Sequence, residues 1–158
     1  MKRSTAMLGI FLGISLVLGY VDSLIPLFPL PGFKIGLANI GVLFVLYRFS
    51  FKEAAMVSLL RVLLLSILFG NGVSAVYSLA GALCSLLMMA IVKKTAFFEM
   101  TGVSIIGAIA HHIGQIAAAC LMVGSKAVFY YLPYLCVLSL FSGFLIACLT
   151  DILLKRIV

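Results

Sequence analysis

The sequence predicts an all-α integral membrane protein: one domain over residues 1–158, built as a bundle of six transmembrane helices with both termini in the cytoplasm. Three observations carry that expectation. The chain is 65% apolar and only 9% charged, with a mean hydropathy of +1.35, whereas soluble domains are nearer half apolar and a quarter charged. Six long apolar stretches fill it, which is what 158 residues hold at roughly 20 residues per spanning helix. Finally, the cations sort to one side of those stretches. The same composition excludes a disordered or nucleic-acid-binding chain, since both need far more charge.

The predicted helices cover 5–24, 35–49, 53–70, 72–92, 102–123 and 128–153. Prolines 26, 29 and 31 with Gly32 end the first. Arg48 to Glu53, Gly70-Asn71-Gly72, Lys93 to Glu99 and Gly124 to Lys126 separate the others. None alternates apolar and polar residues as a barrel strand does. The second stretch is short for a hydrocarbon core of about 30 Å, so it is tilted, extended at its ends, or only partly spanning.

Of the 11 basic residues, eight (Lys2, Arg3, Arg48, Lys52, Lys93, Lys94, Lys155, Arg156) fall on one side of the helices. Lys34 and Lys126 fall on the other, and Arg61 lies within a helix. The positive-inside rule then puts both termini of this multi-pass chain in the cytoplasm, and the expected location is a prokaryotic cytoplasmic membrane. Lys2-Arg3 followed by an apolar run resembles a secretory leader. The run is long for one and lacks an evident cleavage site, so an uncleaved first helix is expected. Cys84, Cys120, Cys136 and Cys148 stand singly within helices and read as small packing residues, not as a disulfide framework or metal site.

Polar groups inside a membrane are costly and mark function by default. Here they are Asn39, Arg61, His111, His112 and Gln115, with Asp22, Lys34, Asn71 and Tyr77 near helix ends. At about 1.5 Å per residue, Arg61 and His111 fall near mid-membrane, with Asn39, Tyr77 and Gln115 further out. Lys34, Asn39, Arg61, Asn71, Tyr77, His111 and Gln115 are therefore the candidate substrate-binding residues, gathered in a polar cavity open to the outside. For His111 the alternative is a hydrogen bond that holds helices together. His112 points about 100° away from His111 and is expected to pack between helices. Arg61 stays charged at any relevant pH. With Asp22 taken as external and Glu53, Glu99 and Asp151 as cytoplasmic, its expected counter-ion is an anionic substrate or a hydrated cavity.

Ala6, Gly9 and Gly13 form a small-residue stripe on the first helix, and Ser139, Gly143 and Ala147 form another on the last. Such stripes pack helices closely, within the bundle or against a partner. No Walker lysine loop, paired aspartate cluster for Mg²⁺-diphosphate, nucleophile elbow or zinc signature is present. The expectation is a non-enzyme with no catalytic residue, metal or cofactor, so active transport needs a partner or an ion gradient.

Three stretches together carry a resemblance. They are Pro31-Gly32-Phe33-Lys34-Ile35-Gly36-Leu37-Ala38-Asn39, Tyr77-Ser78-Leu79-Ala80-Gly81, and Gly107-Ala108-Ile109-Ala110-His111-His112-Ile113-Gly114-Gln115. They resemble the Gx transporter family, also labelled heptaprenyl diphosphate synthase component I, which is similar to the S-components of energy-coupling factor (ECF) vitamin transporters. At position 112 the family more often carries Asn. The resemblance implies an S-component-like bundle that binds a small solute near the outer face. It also implies a transmembrane coupling subunit with ATPases as partner, contacted through the first helix at Ala6, Gly9 and Gly13. The expected function is capture of a small polar or anionic solute for uptake. The alternative is an accessory subunit of a quinone, isoprenoid or flavin-linked extracellular electron-transfer system, and a third is a purely structural bundle.

Overall fold

The computed structural model describes residues 2–24, 36–70 and 72–157, with side chains from residue 5 onward. Lys34, Asn71 and the Pro31–Ile35 part of the second-helix motif lie outside the described residues. Six α-helices and one 3₁₀ helix make up the described chain: α1 (Lys2–Leu24), α2 (Asn39–Arg48), α3 (Phe51–Phe69), α4 (Gly72–Thr95), α5 (Met100–Val123), a 3₁₀ turn (Lys126–Tyr131) and α6 (Leu132–Ile157). All six expected helices are present; α6 lies four residues later than expected at both ends, and α2 starts four residues later. It begins at Asn39, after a turn in which Gly36 adopts φ +92°, a conformation that favours glycine.

Local chemistry explains the boundaries. Ser50 caps α3 by accepting from the Lys52 N–H at 3.2 Å, while its hydroxyl donates to Glu53. Gly124 ends α5 in the left-handed region at φ +67°, donating its N–H to the Cys120 carbonyl at 3.0 Å. Ser125 then accepts from the Ala127 N–H to start the 3₁₀ turn.

Four segments are long and apolar enough to cross a membrane: Thr5–Leu24, Gly72–Thr95, Met100–Val123 and Lys126–Ile157. Helix α3 carries Lys52, Glu53 and Arg61 within 19 residues. Helix α2, at 10 residues, rises only about 15 Å, half a hydrocarbon core.

The helices form a ring in which α1 packs on α3, α3 on α4, α4 on α5 and α5 on α6. Helix α2 closes it, touching α1, α3 and α6. Every α2 residue from Asn39 to Leu46 is buried. Around it lies the larger apolar core, which includes Phe11, Leu43, Phe44, Val57, Met89, Val103 and Ile146. Phe11 and Phe44 stack with ring centroids 3.7 Å apart. A second apolar cluster, Tyr77, Ile116, Ala118, Ala119, Val128 and Leu135, joins α4, α5, the 3₁₀ turn and α6.

Glycines set the closest approaches. A Cβ on Gly114 would lie 2.6 Å from the Ala80 carbonyl oxygen, and one on Gly143 would lie 2.6 Å from the Ile105 Cα. The small residues of α5 and α6 are thus occupied by neighbouring helices. The α1 stripe is different. Ala6 and Gly9 are exposed, and a Cβ on Gly9 or Gly13 meets nothing within 4 Å. This stripe faces outward from the bundle.

Gly114→Ala forces α4 off α5, because backbone cannot yield as a flexible side chain does, and should cost about 1–3 kcal/mol. Gly9→Ala and Gly13→Ala should change stability by less than about 0.5 kcal/mol. Unfolding in mixed micelles measures both.

Candidate functional site

Between the two apolar clusters lies a polar layer, and it starts at the entry to α2. The first N–H groups of a helix have no partner within it, and Ala38 at the N-cap position offers no side-chain acceptor. The acceptor near this end comes from another helix. Asp22, in the last turn of α1, takes the Gly36 N–H at 2.7 Å and the Leu37 N–H at 3.2 Å on Oδ2. The turn closes as the Asn39 N–H donates to the Gly36 carbonyl at 2.8 Å and the Ile40 N–H to that of Leu37 at 3.1 Å.

Asn39, the first residue of α2, faces α3. There Arg61 donates from Nη1 to Asn39 Oδ1 at 3.0 Å. Arg61 is 4% exposed, and its Nε has no hydrogen-bond partner among the described residues. The Asp22 carboxylate acts on this guanidinium electrostatically. Asp22 is itself only 2% exposed. The expectation of an external Asp22, leaving Arg61 without an acidic partner at its depth, is therefore corrected. The prolines after α1 suggested a surface position, but the chain returns at Gly36 and buries the carboxylate under its own backbone.

Arg61, Asp22, Ser78 and His111 line one cavity together with Gly19, Gly36, Ala38, Val62 and Leu65. Five helices or their entry turns therefore contribute to one place. The cavity measures about 30 Å³, room for roughly two water molecules and far below the 300 Å³ or more of an ordinary ligand pocket. The described residues thus leave a small, partly open space in which charged and apolar groups share the lining.

The candidate residues divide by position. Asn39, Arg61 and His111 meet at or beside the cavity. Gln115 is buried one turn beyond His111, where both press on Gly81: a Cβ there would lie 2.8 Å from Gln115 Cγ and 2.9 Å from His111 Cε1. The faces of Gly107 and Gly114 are taken by α4. A Cβ on Gly107 would strike Met89 Cγ at 2.4 Å. Tyr77 points into the second apolar cluster, and its neighbour Ser78 lines the cavity instead. Asp22 and Ser78 were not foreseen. A sequence signal for Asp22 existed, since it is the sole acidic residue before Glu53.

His112 faces the opposite way and joins α5 to α6. Its Nδ1 lies 2.7 Å from Ser139 Oγ and 3.2 Å from the Ala108 carbonyl oxygen. The carbonyl can only accept, and Ser139 already donates to the Leu135 carbonyl at 2.7 Å. Nδ1 therefore carries the proton and donates to both. Ser104 adds a second α5–α6 link, donating to the Gly143 carbonyl at 2.7 Å. Adjacent histidines thus serve different sides of α5, one toward the cavity and one toward α6.

A double-mutant cycle with His112→Ala and Ser139→Ala should return a coupling of about 0.6–1.7 kcal/mol, the range of interhelical hydrogen bonds in membranes. A value near zero would remove His112 from the α5–α6 interface.

Neither a curated protein nor a solved structure matches the chain. A match does span nearly all of it, from within α1 to the last turns of α6, and so takes in Asp22, Asn39, Arg61 and His111. Over residues 11–153 that match is to the family of heptaprenyl diphosphate synthase component I, and the chain belongs to this family.

Proposed function

We propose that this membrane protein is a substrate-binding subunit of a small-molecule uptake system, resembling ECF S-components. It captures a small polar solute from the outer face and performs no catalysis itself. The single observation that carries the reading is the cavity where Asp22, Arg61, Ser78 and His111 converge from four helices beside the entry to α2. In transporters, sites are commonly built where a helix stops short within the membrane and its end meets polar groups. Helix α2 is such a half-length element, with Asn39 and Arg61 joined at its first residue.

Two further features support the reading. The cations at the ends of α2, α4 and α6 orient the bundle with both termini in the cytoplasm, which sets the Asp22 end outward. The outward stripe of Ala6, Gly9 and Gly13 offers a coupling subunit a face on which helices approach closely. Lys34 and Asn71, outside the described residues, remain proposed members of the outer site. Gln115 flanks His111 one turn further out, and Tyr77 holds the α4 turn that presents Ser78.

A second reading rests on the family's description as a component of heptaprenyl diphosphate synthase. It makes the chain an accessory membrane subunit, with the cavity facing an isoprenoid, quinone or flavin-linked partner. Diphosphate chemistry by the chain itself is disfavoured. Its acidic residues number four, spread over α1, α3, α6 and the α4–α5 connection, so no Mg²⁺-binding pair is close in sequence.

In membranes of the source cell, gentle purification followed by native mass spectrometry should retain a coupling subunit with ATPases and a small solute. Copurification of a prenyl synthase or flavoprotein instead would favour the second reading. Arg61→Ala and His111→Ala should each weaken retention of the solute at least about tenfold, the effect of losing one hydrogen bond to a charged or buried group. Gly9→Leu with Gly13→Leu should lose the coupling subunit and keep the solute.

A further inference from the structure

The charges around the cavity limit which solute can enter. The groups facing it are Asp22 from α1, Ala38 before α2, Arg61 from α3, Ser78 from α4 and His111 from α5, with Asn39 bonded to Arg61. Among the described residues, one carboxylate and one guanidinium are the formal charges there, so they cancel when His111 is neutral. Two backbone N–H donors and the nearby guanidinium suit an ionised Asp22 carboxylate. Arg61 therefore needs no anion to neutralise it. An added anion would bring an uncompensated charge into a buried site, which is unfavourable.

The hydrogen-bond inventory points the same way while demanding something of the solute. Arg61 spends Nη1 on Asn39, but its buried Nε–H has no acceptor among the described residues. A buried donor left unmatched is unfavourable. The site thus has an open donor and no open formal charge.

Resting on the proposed capture role, and with charge counted over the described lining beside Arg61, we infer that the solute taken up there has no net charge and offers Arg61 a hydrogen-bond acceptor. Zwitterions and uncharged carbonyl compounds meet both conditions. Simple anions supply the acceptor but break the charge balance. Simple cations meet neither condition, since they offer no acceptor, break the charge balance and face Arg61 as a like charge. In a zwitterion the anionic group lies toward Arg61 and the cationic group toward Asp22.

The test uses the full chain in lipid nanodiscs and four probes of similar size: alanine, propionamide, propionate and propylammonium, titrated by saturation-transfer NMR. Wild type should favour alanine and propionamide over the two charged probes by about tenfold, the scale of one uncompensated charge at partly screened distances. Asp22→Asn should bring propionate to the top of the order, and Arg61→Gln should do the same for propylammonium. The double variant Asp22→Asn/Arg61→Gln restores neutrality and should return the preference to the neutral probes. It also guards against reading a misfolded single variant as a change of specificity.

Tightest binding of propionate by wild type overturns the inference and leaves the capture role standing. The same probe order in all four proteins overturns it too, because the charge pair would then set no preference. If no probe binds any of the four, both the inference and the cavity's role in capture fall.

Discussion

Helix α2 is half as long as a membrane crossing and is buried from its entry at Asn39 to Leu46, just before exposed Arg48. Its buried backbone groups need partners that water would otherwise supply, since an unsatisfied backbone group in hydrocarbon costs several kcal/mol. At its entry, Asp22 of α1 accepts the N–H groups of Gly36 and Leu37. At its exit, Lys93 of α4 donates to the Leu46 carbonyl at 2.6 Å, with Nζ 4.6 Å from the Tyr47 ring centroid. A negative group at the start and a positive group at the end also match the helix dipole, worth about 0.3–2 kcal/mol at each end. Satisfying the backbone is the larger effect, and the dipole adds to it.

This clamp organises the rest. With its ends fixed by α1 and α4, α2 presents Phe44 to Phe11 and Asn39 to Arg61. Arg61 can then be buried, because a neutral acceptor and a carboxylate already stand at its depth. The cavity forms at the junction of α1, α3, α4 and α5, where the turn into α2 leaves a gap that regular helices would fill. Its size of about 30 Å³ leaves room for about two waters between the described residues. Small residues on α5 bring α4 and α6 close on both flanks, which makes that side of the cavity stiff. Helix α1, with 22% of its most apolar window buried against 56% for α5, is the more loosely held wall.

Much of this was legible in the chain itself. Apolar runs of spanning length located α1, α4, α5 and α6, because the hydrocarbon sets a length that sequence must meet. Turn chemistry at Ser50, Gly124 and Ser125 acts within a few residues, so the boundaries there were readable. Asn39, Arg61 and His111 stood out by cost alone, since such groups do not persist in hydrocarbon without a purpose. Tyr77 did not follow the pattern, because helix spacing gives its depth and not the direction it faces. The small stripes posed the same difficulty. The one on α6 packs inside and the one on α1 faces out, although both have similar spacing.

The sequence by itself determined the helical membrane class, the number of helices and the presence of an intramembrane arginine, because these follow from local hydrophobicity, charge and chain length. Only the tertiary structure decided that Arg61 has Asn39 and Asp22 for company. Gly36 and Leu37 lie 14 and 15 residues beyond the Asp22 that receives them, and Asn39 lies 22 before Arg61. Contacts over such separations depend on how the chain turns back between helices, and no local pattern specifies that return. A charge judged alone in its own helix looked unpaired; packing supplied its partner.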